Sequence, residues 1–461
     1  MKVFWLVVVL LASAPLAFAQ SSFPAGQVIE KIPVLTSDQS YAAYLPANYT
    51  SEKSWPTVFC LDPRARGKFA LERFVKAAEK YGYIVLCSNN SRNGLDGPTI
   101  SQIFTDFWAD AHQRFNIDQN RTYAAGFSGG ARLASTFASR CRGCLTGVIL
   151  AGAGFPGDTQ PEAKTPFACY GIVGTDDFNF GEFLDLEKKY RELSLPYHIE
   201  SFAGGHEWAP ELNLQRALAW FTLQAMKAGT VVKDEAFIDE QFSARTLLAE
   251  TELAATDNGT ALRSFQSLVR DFQALRDTTV AARKVDQIQK TFDSRKEEKA
   301  EDELVRRQLK EVGEILSLWM KAPAPDETVS ARYEAKSRIA EWRKKKDVAE
   351  DSRERRLARR ILSHLLIQSF EAAQPLINQG KNYSVALANY QLAREIDPKN
   401  VGIVYEIARM YALKRDKKAA VEALEEAVAL GFKDVTRIKS EEAFGILAIE
   451  PRFQKLLDSL R

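Results

Sequence analysis

Histidine is scarce in this chain. Four stand among 461 residues, so any chemistry that needs an imidazole has only His112, His198, His206 and His364 to draw on. Cysteine is scarce as well, at five, and no histidine lies at ligand spacing from Cys141 or Cys144, which argues against a zinc site. An excess of one charge is missing. Sixty-two Lys and Arg stand against 60 Asp and Glu, and the net charge of +2 calls for neither nucleic acid nor an anionic surface as partner. Long apolar runs are absent beyond the N-terminus. A membrane span needs roughly 20 apolar residues, and no later segment supplies them. No cysteine stands directly after the expected cleavage site described below, so a lipid anchor on a new N-terminal cysteine is not indicated.

The N-terminus itself is distinctive. Lys2 gives a positive start, Val3 to Ala12 an apolar run, and Ala17-Phe18-Ala19 a small-x-small cleavage site before Gln20. Residues 1–19 therefore read as a secretory signal. A retained anchor is the alternative, but the run is short and Pro15 interrupts it. The expected location is secreted or periplasmic, with no integral membrane span after cleavage. A disulfide can persist there, and Cys141-Arg-Gly-Cys144 is the closest pair. Cys60, Cys87 and Cys169 sit in apolar strand-like runs and read as buried, inert thiols.

The chain is too long for one compact core. From residue 20 to 229, short apolar runs alternate with helical patterns. Thr57 to Leu61, Tyr83 to Cys87, Thr122 to Ala125, Val148 to Ala151, Ala168 to Val173 and Tyr197 to Phe202 read as strands. Apolar runs separated by helices predict an α/β class domain, a doubly wound and mostly parallel sheet covered on both faces. Gln27 to Leu35 and Tyr41 to Leu45 read as an antiparallel edge. Beyond residue 230 helical periodicity takes over.

Residues 230–366 read as a helical connecting region, with a charged stretch from Arg283 to Arg360. Its apolar positions Leu304, Leu309, Val312, Ile315 and Leu316 form one stripe, which favours a solvated helical face over a coiled-coil hairpin. Ala322-Pro323-Ala324-Pro325 marks a turn between two helices. Residues 367–461 hold an internal repeat: Ala386, Tyr390, Ala393 and Pro398 recur 34 positions later as Ala420, Leu424, Ala427 and Phe432. This resembles the tetratricopeptide repeat, a helix-turn-helix of that period. The first unit departs from the pattern at Gln374.

The strongest chemical motif is Gly126-Phe127-Ser128-Gly129-Gly130, placed between the strand Thr122 to Ala125 and a helix opening at Ala131. A sharp strand-to-helix turn presents Ser128 at its apex, and the glycines leave room where side chains would collide. A serine hydroxyl needs a base. His112 and His364 lie in helical patterns and His198 lies mid-strand. His206 follows Gly204-Gly205 directly after a late strand, in a loop that can face the serine. The base needs an acid behind it. Val173-Gly174-Thr175-Asp176-Asp177 ends the preceding strand. Asp177 is the preferred acid and Asp176 the alternative, with the other one free to cap the next helix.

The order Ser128, Asp177, His206, each after a successive strand, matches the α/β-hydrolase superfamily. Gly204-Gly205-His206-Glu207-Trp208 resembles the glycine-glycine-histidine-x-tryptophan loop of secreted esterases of the polyhydroxybutyrate depolymerase and feruloyl esterase type. The resemblance covers roughly residues 26–228. It implies a carboxylic ester hydrolase working through an acyl-enzyme, with no metal and no organic cofactor. It also implies an oxyanion donor in the loop Asp62-Pro63-Arg64-Ala65-Arg66-Gly67, where many relatives have His-Gly at Asp62-Pro63. Pro63 has no N–H, so the expected oxyanion donors are the amides of Gly129 and Arg64. Arg64 and Arg66 side chains are alternatives for binding an acidic group. The expected substrate is a small-molecule or polymer-borne ester. Other readings are an exported adaptor, in which the repeats bind a protein partner and the first domain does not cut, and a serine peptidase on the same fold.

Overall fold

The computed structural model describes residues 23–320 and 325–460. The expected signal, residues 1–19, lies outside the described residues, as do Ala322 to Ala324 of the expected turn.

Eight strands form one sheet in the order β1-β2-β4-β3-β5-β6-β7-β8. They are β1 (Val28–Pro33), β2 (Ser40–Tyr44), β3 (Trp55–Leu61), β4 (Ile84–Ser88), β5 (Ile117–Phe127), β6 (Gly147–Ala151), β7 (Ala168–Gly174) and β8 (Tyr197–Phe202). β1 and β2 are antiparallel, as is β2 to β4, and every later pairing is parallel. The first two strands form the antiparallel edge read from the sequence. The arrangement is a doubly wound α/β sheet of the α/β-hydrolase kind.

Alternation along the central strands divides the core. Val58 and Cys60 of β3 point into one face, where they meet α1 (Gly67–Glu72), α2 (Val75–Tyr81) and, further along the sheet, α6 (Glu211–Lys227). Phe59 and Leu61 point to the other face, covered by α3 (Gly97–Arg114), α4 (Gly129–Arg140) and α5 (Phe180–Glu192). Both faces are buried, which explains the unbroken apolar runs. Cys60, Cys87 and Cys169 are buried free thiols, and Cys141 is bonded to Cys144 at the end of α4.

Among the described residues, the chain forms helices and their connecting turns from Glu235 onward. The helices are α7 (Glu235–Ala254), α8 (Asn258–Phe272), α9 (Thr279–Thr291), α10 (Ser294–Met320), α11 (Pro325–Lys346), α12 (Arg353–Asn378), α13 (Tyr383–Ile396), α14 (Val401–Leu413), α15 (Lys417–Ala429), α16 (Val435–Ser440) and α17 (Pro451–Ser459). Side chains of Asp234, Asp257, Ser352, Asn400 and Asp416 accept N–H groups at their starts. None of the described helices is long and apolar enough to cross a membrane.

Two details differ from the sequence reading. The boundary expected at residues 366–367 falls inside α12. That helix is continuous because its buried face runs unbroken from Leu357 through Leu365 to Ile377. In the α10 stripe Leu304, Val312 and Ile315 are buried, but Leu309 is 56% exposed. Its place on the helix turns it away from the α11–α12 core. Six residues of the 34-residue recurrence lie on α13 and α15, where Ala386, Tyr390, Ala393, Ala420, Leu424 and Ala427 share one buried core, while Pro398 and Phe432 follow the ends of those helices.

The helical region is not separate from the sheet. His198 of β8 bonds Asp271 of α8 at 3.1 Å, and Arg245 of α7 bonds the same carboxylate at 2.7 Å. Burial raises the Asp271 pKa, but the hydrogen bond with His198 and the charges of Arg245 and Arg270 outweigh it and hold the carboxyl well below the usual range.

Candidate active site

Ser128 follows β5, the strand beside the point where the sheet order reverses, and opens α4. Ligands of open α/β sheets gather at such a point, beyond the carboxyl ends of the strands. Its backbone sits at φ 53°, ψ −122°, a conformation rare for any residue with a side chain. The turn is held by Ser128 N–H donating to Ala151 O at 2.8 Å. Space there is minimal. A Cβ on Gly126 would lie 2.3 Å from the Gly130 carbonyl, and one on Gly130 would lie 2.1 Å from Leu61 O. The glycines are therefore demanded by backbone crossing backbone.

His206 lies in the loop after β8, and its Nε2 is 2.8 Å from Ser128 Oγ. Its Nδ1 is 3.0 Å from both carboxylate oxygens of Asp177. A carboxylate only accepts, so Nδ1 carries the proton and Nε2 is the acceptor that faces the serine hydroxyl. The loops that carry acid and base are laced together. Thr175 N–H donates to Phe202 O and Asp176 N–H to Gly204 O, both at 2.9 Å. A Cβ on Gly174 would come within 2.4 Å of Gly204 O and Gly205 O, so only glycine lets the loops approach this closely.

Asp177 is fully buried, and burial pushes its pKa up. Hydrogen bonds from His206 and from the Asn179 amide, the latter at 2.8 Å, oppose the rise only in part. Asp176 points elsewhere. It accepts from Arg359 of α12 at 2.7 Å. It does not cap α5, which begins after Asn179 without a side-chain cap. The expectation that the second carboxylate caps that helix is therefore corrected.

The loop after β3 also departs from expectation. Asp62 folds its carboxylate back over its own loop, where Oδ1 accepts the Arg64 amide at 2.8 Å. That N–H is spent, so Arg64 is not placed as an oxyanion donor. The Arg66 guanidinium is engaged too, at 3.0 and 2.9 Å to Asp62, and is not a free anion-binding group. The Gly129 amide is in the first turn of α4, where N–H groups have no intrahelical partner. Over it lies Asn93, from the loop after β4. A Cβ on Gly129 would stand 1.9 Å from Asn93 Oδ1 and 3.0 Å from Nδ2. The sequence reading passed over Asn93, since no motif marks it.

His112 and His198 serve packing. His112 Nδ1–H donates to Trp108 O, 2.8 Å away, and the ring stacks on Phe59. His198 is the partner of Asp271. His364 of α12 is unexpectedly close to the site. Its ring stacks at 5.1 Å on Phe178, whose other neighbour is the His206 ring at 4.4 Å. Among the described residues, no group of three or more His, Cys, Asp or Glu side chains is placed to hold a metal ion.

No family model matches the chain, and no curated protein does. Solved structures do. The S-formylglutathione hydrolase of Staphylococcus aureus is 15% identical, with 43% of this chain and 97% of that one covered and a TM-score of 0.35. A ferulic acid esterase is 19% identical over 42% and 97%, TM-score 0.34. A hyperthermophilic esterase from the archaeon Pyrobaculum calidifontis is 13% identical over 44% and 87%, TM-score 0.36. These are likenesses at low identity, and the activity of each belongs to that protein.

Proposed function

We propose that the chain is a serine hydrolase that cleaves carboxylic esters through an acyl-enzyme. The observation that carries this reading is the unbroken hydrogen-bonded series Asp177–His206–Ser128, with the serine held in a strained turn.

Ser128 Oγ attacks the acyl carbonyl while His206 Nε2 takes the hydroxyl proton. Asp177 stabilises the imidazolium through Nδ1–H. The carbonyl oxygen gains the negative charge and is held by the Gly129 N–H. The second donor in this proposal is the Asn93 carboxamide, turned so that Nδ2 faces the oxyanion, in place of the occupied Arg64 amide. Collapse expels the alcohol, which takes the proton from His206. Water then attacks the acyl-enzyme, gives its proton to His206, and the proton returns to Ser128 as the acid leaves.

Between Ala153 and Pro166 the chain forms only the short 3-10 turn Gly157–Thr159. That loop supplies no helical lid, which supports an ester on a soluble molecule or polymer. The Cys141–Cys144 bond supports the proposed secreted or periplasmic location, since such bonds persist in oxidising compartments. A tetratricopeptide-like role for α13 to α15, presenting a surface to a protein partner, belongs to the same proposal. The test of the function is hydrolysis of short-chain p-nitrophenyl esters by the wild type and by Ser128→Ala. Turnover lost in the variant supports it. Equal rates, or faster cleavage of peptides than of esters by the wild type, count against it.

A further inference from the structure

The segment that carries Asp177, between β7 and α5, is gripped by the helical region on both sides of the acid. Arg360 of α12 donates from Nε to Thr175 O at 2.9 Å, and Arg359 donates to Asp176 Oδ2 at 2.7 Å. Gln308 of α10 donates to Phe178 O at 2.8 Å. The Arg360 guanidinium lies 3.9 Å from the Phe180 ring centre. The Phe178 ring stands between His206 and His364. Arg360 and Gln308 are nearly fully buried, at 3% and 2% exposure.

This pattern is more than domain packing. Residues 175, 176, 178 and 180 each meet α10 or α12, and the residue between them is the acid. A loop that follows a strand is ordinarily among the more mobile parts of a domain. Here its carbonyl oxygens are held by long side chains whose own positions are fixed in the helical core. Arg360 is also close to Glu301 of α10, which ties the two gripping helices together. Phe178 adds a second path, since its ring limits how far the His206 ring can tilt away from Ser128.

We infer that Arg359, Arg360, Gln308 and His364 are positioning residues, through which the helical region holds Asp177 and His206 in register with Ser128. The inference rests on the proposed hydrolase reading. It assigns the helical region a part in the chemical step without any contact to substrate.

The test uses the full chain with Arg359→Met and His364→Ala, both at partly exposed positions, and Arg359→Lys as the conservative variant. The expected result is a kcat about 10- to 100-fold lower in Arg359→Met, the size of loss that small misplacement produces. KM for a short acyl ester stays within about twofold, as for an interaction made only in the transition state. Arg359→Lys restores part of kcat. The downfield proton resonance of His206 Nδ1–H, held against Asp177, shifts or broadens in Arg359→Met and His364→Ala, while the thermal midpoint stays near that of the wild type. Unchanged kcat and an unmoved resonance in both folded variants overturn the inference. So does a lower kcat that comes only with a lower thermal midpoint and an unmoved resonance. A wild type inert toward esters overturns the hydrolase reading instead, and the resonance still reports whether the helical region sets the His206–Asp177 bond.

Discussion

Trp208 donates its indole N–H to Asp62 Oδ2 across 2.9 Å, which ties the loop that carries His206 to the loop after β3. The two residues are 146 positions apart and both are buried. The contact gives the glycine-glycine-histidine-x-tryptophan sequence a physical reason. The tryptophan anchors the base loop, and its acceptor is the same carboxylate that holds the Arg64 amide.

Trp208→Phe keeps the ring and removes the donor. The buried Asp62 carboxylate then loses one charge-assisted bond, at a cost of about 1.5–3 kcal/mol. Burial raises the Asp62 pKa, but bonds from Arg66, Trp208 and the Arg64 amide outweigh that and lower it below its ordinary 3.8. A lowered carboxyl stabilises the fold above that value and loses the contribution as pH falls through the folded pKa. Urea unfolding at several pH values should therefore show the gap between wild type and variant widest at neutral pH and closing below about pH 4.

Asp177→Asn and Asp176→Asn should separate cleanly. Asp177→Asn removes the negative charge behind His206 and can turn an N–H toward Nδ1, which fixes the wrong tautomer, a change that costs on the order of 10⁴-fold in kcat for a triad. Asp176→Asn acts only through Arg359 and costs far less. Stability moves the other way. The Asp177 pKa is raised by burial, so its ionisation destabilises the fold. The native state is favoured below the ordinary 3.8, and that favour is lost as pH rises through the raised value. Asp177→Asn should be at least as stable as the wild type at pH 7 and lose this advantage in acid. A variant less stable at pH 7 than in acid, relative to wild type, contradicts the assignment.

Ser128 carries backbone strain that glycine does not feel. Ser128→Ala and Ser128→Gly should both be inactive, with Ser128→Gly more stable by about 1 kcal/mol. Equal thermal midpoints for the two variants would show that the turn at φ 53° stores no strain.

Asn93→Ala tests the proposed second oxyanion donor. Loss of one such donor costs about 10²-fold in kcat with little change in KM. Asn93→Asp should be at least as slow, because it sets a negative charge beside the developing anion. Arg64→Ala retains the backbone amide and should leave kcat near that of the wild type.

The sheet was legible because its strands are buried on both faces and spelled out as apolar runs. Ser128, Asp177 and His206 were legible because each sits just after a strand, in a loop rich in glycine. Adjacent carboxylates cannot be told apart by spacing, and it is their partners, His206 for Asp177 and Arg359 for Asp176, that separate them. Arg64 was misassigned because a backbone amide is free or spent according to where a neighbouring side chain folds, and Asp62 folds back onto it. The nearness of His364 and Asn93 to the site was not legible in the sequence. One lies in a helical pattern whose docking partner is almost two hundred residues earlier, and the other in a loop with no motif. Leu309 shows the limit of a stripe read from periodicity, since one partner surface covers only part of a helix face.

The central claim is that Ser128 is an activated nucleophile. Its most direct test is treatment of the full chain with a fluorophosphonate, followed by peptide mapping by mass spectrometry. The account predicts a single covalent adduct on the peptide bearing Ser128, absent in Ser128→Ala and strongly slowed in His206→Ala. No adduct on folded wild-type protein, or an adduct at another residue, would contradict it.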